Sequence, residues 1–223
     1  MTAKIFWRDP YLTRLETRVV SVDGNDVTLA ETFFFAESGG QESDQGTIAG
    51  DAVRAARLRG HDIVYTLSEG HELTPGQTVV IEIDWARRYR LMRLHFAAEL
   101  VLELVYRDFP GTAKTGAHIA ADKARIDFAW RGNIAAILPG IASETAAIVD
   151  ADQVILSAFS DEADQRRYWR IGGFAEVPCG GTHLRRTGEV GEVRLKRKNP
   201  GKGRERIEIT LAEPNGRPEP PRP

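Results

Sequence analysis

The sequence predicts an α+β protein in which a small N-terminal β-barrel precedes an α/β two-layer domain. Three observations carry that expectation. Up to about residue 84 the chain is a series of short β-branched and aromatic runs parted by Gly, Asp, Asn or Pro, the pattern of a small barrel or sandwich. Residues 85–109 contain no Gly or Pro and are rich in Leu, Ala, Glu and Arg, which is the pattern of a helix. Beyond them, strand-like runs mix with one further helical stretch.

The elements follow in order. Val19–Val22 and Val27–Leu29 flank Asp23-Gly24-Asn25-Asp26, turn chemistry between two apolar runs, and so predict a hairpin. The runs TFFF, GTIAG, VRAARLRG, HDIVYTL and QTVVIEID continue the β pattern. Asp84 is placed to cap the long helix, and Pro110-Gly111 stops it. ARIDFAW, QVILSAF, EVRLKRK and RIEITLA read as strands, and Ile141–Val149 as the second helix. The expected organisation is a barrel domain over 1–84, an α/β domain over 85–212 and a disordered Pro-rich tail over 213–223.

Composition narrows the class. Of 223 residues 42% are hydrophobic and 28% charged, enough for a core and a solvated surface. A net charge of −2 advertises no global attraction to nucleic acid, so any basic surface is local. One cysteine excludes an internal disulfide and a Cys-rich zinc ribbon, and it suits a reducing compartment, so no disulfide-linked partner is expected. No apolar stretch is long enough to span a membrane, and MTAKIFWRDPYLTR lacks the apolar core of a signal peptide. The expectation is a soluble cytoplasmic protein.

The long helix is apolar nearly all round, with Leu94, Ala98, Val101, Leu102, Leu104 and Val105 covering most directions, so it is expected to be buried. His95, Glu99 and Glu103 fall at i, i+4 and i+8 on one narrow face. A His and a carboxylate so spaced can converge on one metal; from the helix alone, a simple polar pair on its solvent face is the favoured reading. Cys179 and His183 bracket Gly180-Gly181-Thr182. Thiolate and imidazole are zinc ligands, and the glycines let both side chains turn to one point, whereas an isolated cysteine is more often a small buried hydrophobe. Joined to His95 and Glu99, the pair supplies up to four donors for Zn2+.

The segment CGGTH followed by LRRTGEVG resembles the signature of the alanyl-tRNA synthetase editing domain and of its freestanding relatives, the AlaX trans-editing proteins. RRYRLMRLHFAAEL is similar to the family's metal-binding helix, TFFFAESGGQESDQGTI to its Gly-rich motif, TGAHIAADKARIDF to its strand pair and GKGRERIEIT to its closing strand. The matches keep family order over most of residues 25–211, and both halves together resemble the medium-length type. The resemblance implies a zinc-dependent hydrolase acting in trans, which removes serine or glycine wrongly attached to the alanine tRNA. It implies metal ligands at His95, Cys179 and His183 and makes Gln41 an editing-pocket residue, read as catalytic; Glu99 is added from its own chemistry and position, as fourth ligand or catalytic base. Gly39, Gly40, Phe96 and Thr182, which stand inside these motifs, are the expected substrate contacts.

Three positions depart from the family pattern. Glu99 stands where the helix pair has its second His, and it is open to two roles, ligand or general base. Phe96 replaces a Thr beside the amino-acid pocket. Ser38 replaces the first Gly of Gly-Gly-Gly-Gln, which is tolerable unless that position needs a positive φ. A run of basic residues after CGGTH predicts contact with the acceptor stem of tRNA(Ala) by Arg185, Arg186, Lys196, Lys198 and Arg204, with Arg194, Arg197, Lys202 and Arg206 nearby and Arg87, Arg88, Arg90 and Arg93 adding to it. A solvated strand face is the plainer reading. His61, His71 and His118 lack partners at metal spacing and read as surface residues. Two other readings stay open: a non-catalytic RNA-binding or synthetase-associated relative, and a metal-dependent hydrolase of a small aminoacyl ester. A third makes Cys179 a nucleophile with His183 as base. Oligomeric state is open.

Overall fold

A computed structural model describes residues 2–201 and 203–212. The expected tail over 213–223, and Lys202, lie outside the described residues. The α+β class holds: two α-helices accompany antiparallel sheets. The chain falls into two compact units that part between Tyr89 and Arg90.

The first unit contains β1 (Ala3–Lys4), β2 (Arg14–Asp23), β3 (Asp26–Leu29), β4 (Glu31–Thr32), β5 (Gly46–Ile48), β6 (Asp51–Arg59), β7 (Asp62–Leu67) and β8 (Thr78–Ile83). Six of these pair in a closed ring, β2-β3-β7-β6-β5-β8 and back to β2, with every pairing antiparallel. The hairpin forms where the sequence expects it: Asp23 pairs with Asp26, and Gly24 takes a φ of 57° that an L side chain resists. β8 alternates, burying Val79, Ile81 and Ile83.

One run behaves differently from its pattern. TFFF reads as strand, yet only Glu31–Thr32 pairs, and Phe33, Phe34 and Phe35 are buried without joining a ladder. Their rings fill the core: Phe34 meets Tyr65 edge-to-face at 5.4 Å and Phe35 meets Phe6 at 5.5 Å. Three consecutive aromatics cannot all face one side of a strand, so the backbone leaves the extended pattern to bury them. Gly46 is required by close approach, since a Cβ there would lie 2.0 Å from the Glu82 carbonyl oxygen across the β5–β8 pairing.

α1 (Trp85–Asp108) begins in the first unit and continues into the second. Asp84 caps it, its carboxylate accepting the Arg87 N–H at 3.0 Å. Leu91, Leu94, Leu100, Val101, Leu104 and Val105 are wholly buried, as an all-round apolar helix requires. After it come β9 (Ala113–Ile119), β10 (Ala124–Ala129), α2 (Leu138–Asp150), β11 (Leu156–Asp161), β12 (Arg166–Ile171), β13 (Ala175–Pro178), β14 (Val193–Gly201) and β15 (Arg204–Leu211). They form one antiparallel sheet ordered β14-β15-β10-β9 and another ordered β11-β12-β13. α2 starts earlier than Ile141 because Pro139 stands in its first turn, where proline's missing N–H costs nothing. QVILSAF pairs only from Leu156; before it, Val154 makes a single bridge to Arg186. Among the described residues, no helix is long and apolar enough to cross a membrane.

Candidate metal centre

Four side chains converge in the second unit. His95 and Glu99 are one turn apart on α1, Cys179 follows β13 directly, and His183 sits in the loop after Gly180-Gly181. The Cys179 N–H donates to the Arg167 carbonyl at 2.9 Å, which continues the β12–β13 ladder and fixes the start of the loop. Its far end is tied to the segment before β11, where the Ile155 N–H donates to the Arg185 carbonyl and the Thr187 N–H to the Gln153 carbonyl, both at 2.9 Å.

The donor atoms of His95, Cys179 and His183 all lie within 4.8 Å of one another. Cys179 Sγ is 3.5 Å from His95 Nε2 and 3.3 Å from His183 Nε2. Glu99 Oε1 is 3.3 Å from His95 Nε2 and 3.8 Å from Cys179 Sγ. Tetrahedral zinc, with bonds of about 2.0–2.3 Å to nitrogen and sulfur, sets neighbouring donors about 3.4–3.6 Å apart. The residues therefore fit such an ion: three donors form the cluster, and the Glu99 carboxylate reaches two of them.

Burial sets the electrostatics. Desolvation opposes a charge on His95, but the facing Cys179 sulfur and Glu99 carboxylate outweigh it and push its pKa up to about 10. His183 goes the opposite way, well below the ordinary histidine value, because burial and then the charges of His95 and Arg167 disfavour its proton. Burial pushes the Glu99 carboxyl up; the hydrogen bond and charge of His95, with help from Trp169, more than offset this and hold it low. One imidazole is thus charged and its neighbour neutral, with ring centroids 5.4 Å apart.

The expectation of a solvent-face pair at His95 and Glu99 is overturned, because His95 is buried and Glu99 nearly so. Glu103, one turn further on, is the half-buried remainder of the stripe, its carboxyl pushed up by burial and by Glu99. Phe96 is fully buried, edge-on to Trp169 at 5.1 Å and to the His183 ring at 6.1 Å. Thr182 is buried as well.

Gly39, Gly40 and Gln41 belong to the first unit and form a tight turn. Ser38 and Gln41 exchange backbone hydrogen bonds of 2.9 and 3.2 Å, Gly39 and Gly40 take φ of 61° and 91°, and Gln41 is buried. Ser38 is not among the positive-φ residues, which explains why a serine is accepted there.

The arginine-rich start of α1 is not a free basic surface. Arg88 is wholly buried, donating to both Asp44 oxygens and to the Pro10 and Phe33 carbonyls. Arg87 donates to Glu42 and Ser43, Arg90 to the Ala121 carbonyl and Arg93 to the Val190 carbonyl. Their role is structural, because each guanidinium satisfies backbone carbonyls that folding buries. In the later basic run Arg186 pairs with Asp152, Arg194 with Glu192, Arg197 with Glu205, Lys198 with Glu208 and Arg206 with Asp127. Arg185 is exposed. Lys196 and Arg204 are exposed and make no ion pair among the described residues. His71 holds the Gly24 carbonyl at 3.1 Å, and His118 lies on β9 opposite Arg125.

Three residues around the cluster escape sequence reasoning. The Ser157 hydroxyl is 2.9 Å from His183 Nδ1, Trp169 Nε1 donates to Glu99 Oε2 at 3.3 Å, and Arg167 Nη1 donates to the Gly181 carbonyl at 3.4 Å. The signal was present for two of them. In RRYWRI, Arg167 and Trp169 stand at i and i+2, on one face of β12.

The α+β chain with its Cys–His cluster is similar in sequence to domains of tRNA synthetases. The family described as "Threonyl and Alanyl tRNA synthetase second additional domain" matches residues 167–208, which include Cys179 and His183. The alanyl-tRNA editing protein AlaX-M of Pyrococcus horikoshii is 32% identical over 216 residues, 95% of this chain and 98% of that protein. The AlaX-M of Saccharolobus solfataricus is 31% identical over 240 residues, with 95% and 99% covered. Alanine–tRNA ligase of Ignicoccus hospitalis is 32% identical over 219 residues, 87% of this chain but 24% of the ligase. The chain belongs to the AlaX-M family of alanyl-tRNA editing proteins.

Proposed function

We propose that the chain is a cytoplasmic trans-editing enzyme, an aminoacyl-tRNA deacylase that hydrolyses seryl- or glycyl-tRNA(Ala) at a zinc site. The observation that carries this is the convergence of His95, Cys179 and His183 within 4.8 Å in a chain that covers 98% of a freestanding editing protein. We read the closed ring of six strands, with the expected domain over 1–84, as the family's small barrel, and residues 85–212 as the editing domain.

His95, Cys179 and His183 would hold the zinc, and Glu99 presents a fourth donor. A bound zinc supplies Lewis acidity and acidifies water. The reaction adds water across the ester, giving free amino acid and the free 3′-terminal hydroxyl of the tRNA. Glu99 keeps its carboxylate ionised under burial, so Oε1 would accept a proton from the attacking water or help to hold the ion as a fourth donor. Gln41 with the Gly39-Gly40 turn, and Thr182, are the residues proposed to contact the aminoacyl end. Phe96 acts from behind the site by packing on His183. Lys196 and Arg204, with Arg185, are proposed to meet acceptor-stem phosphates, while Arg186 and Lys198 must first exchange their carboxylate partners.

The test is deacylation of Ser-tRNA(Ala) and Gly-tRNA(Ala), with Ala-tRNA(Ala) as control, by zinc-loaded and chelated protein. Release of serine or glycine that disappears with the chelator is the expected result. Zinc-loaded protein that releases neither sinks the reading for these substrates.

A further inference from the structure

Glu99 offers its two carboxylate oxygens to different partners. Oε1 faces His95 Nε2 at 3.3 Å and Cys179 Sγ at 3.8 Å, while Oε2 accepts the Trp169 indole N–H at 3.3 Å. Trp169 is fully buried, so its N–H has no recourse to bulk water and must find an acceptor in the protein. The indole has little freedom to leave. Phe96, also fully buried, stands edge-on against it with centroids 5.1 Å apart. The backbone of Trp169 is paired on both sides, to Ser157 on β11 and to Val177 on β13. Ser157 directly opposite holds His183 through Nδ1 at 2.9 Å. One pair of facing strand positions thus supports two side chains of the cluster from behind, one on α1 and one in the Cys-Gly-Gly-Thr-His loop.

We propose that Trp169 is a positioning residue for Glu99: its indole N–H engages one carboxylate oxygen and commits the other to the metal. An unrestrained glutamate rotates about three side-chain bonds and can offer either oxygen or both. With Oε2 engaged, Oε1 is the oxygen left to face His95 and Cys179. Outer partners of this kind orient ligands and raise metal affinity. The proposal rests on the metal reading above.

Co2+ is the probe, because thiolate-to-cobalt absorption reports ligation by Cys179 and the d–d bands report the rest of the coordination sphere. Wild-type protein is expected to show both. Trp169→Phe keeps the ring packing and removes the donor. It should retain the thiolate band, change the d–d envelope and, in competition with a chelator, bind Co2+ roughly 10- to 100-fold more weakly. Glu99→Ala should do the same, and adding Trp169→Phe to it should cause no further change. A Trp169→Phe protein equal to wild type in spectrum and affinity overturns the proposal and leaves the metal reading standing. So does a loss as large in the Glu99→Ala background as in wild type, which marks a purely structural role. Absence of a thiolate band in the wild type defeats the metal reading and this proposal with it. Should Trp169→Phe fail to fold, the indole N–H resonance of Trp169 puts the same question to the intact chain. It should shift on Zn2+ addition in wild type and stay still in Glu99→Ala; a still resonance in wild type overturns the proposal.

Discussion

His95 and His183 are chemically the same side chain in opposite protonation states, and that difference has a measurable consequence. A ligating nitrogen must be free of its proton. His95, held protonated up to about 10 by Cys179 and Glu99, must release a proton when a metal binds near pH 7.5, whereas His183 is already neutral. Zinc added to a weakly buffered solution should therefore release at least one proton per ion, read with a pH indicator, and Cys179→Ala should abolish both uptake and release. Ser157→Ala should weaken zinc roughly tenfold in a chelator competition, because it removes the group that orients His183. These contacts show where the sequence was legible. Cys179 and His183 stand out because two glycines and one cysteine are conspicuous, and the i, i+4 pair adds His95 and Glu99. Ser157 does not stand out, and the i, i+2 spacing of Arg167 and Trp169 puts them on one face of β12 without saying which helix or loop that face will meet.

At the scale of elements, the long helix and the hairpin were legible because both are local. A Gly- and Pro-free stretch after a capping Asp, and a turn between two β-branched runs, need no distant partner to be read. The arginines of α1 were misread for the complementary reason. A guanidinium looks like a surface charge until the loop that carries its acceptors has folded around it. Arg88 and Asp44 are both wholly buried in their side chains, so removing one strands the other in a low-dielectric interior. Arg88→Ala should cost about 3–5 kcal/mol in urea unfolding. Asp44 also binds the Phe35 N–H at 2.6 Å, so the loss should spread to the Gly39-Gly40-Gln41 turn between them. Faster amide exchange across residues 36–43 in the variant is the matching observation.

For the whole molecule, charge is nearly balanced both overall and locally. The net charge is −2, and much of the basic run is already neutralised by carboxylates on the same sheet. Binding to tRNA should therefore depend on few phosphate contacts. The double variant Lys196→Ala/Arg204→Ala should weaken tRNA binding and lower the slope of log K against log salt by about 1–2, with affinity for added zinc unchanged. An unchanged slope would move the RNA-binding surface elsewhere. One feature also sets the timing of the protein's own birth. Cys179 lies 84 positions after His95, and β14 and β15 come later still. At about 5–20 residues per second, a ribosome needs on the order of 4–17 s to pass from one to the other. A partly made chain thus carries His95 and Glu99 on α1 without Cys179 and His183, and the cluster can assemble only after the Cys-Gly-Gly-Thr-His loop has been made.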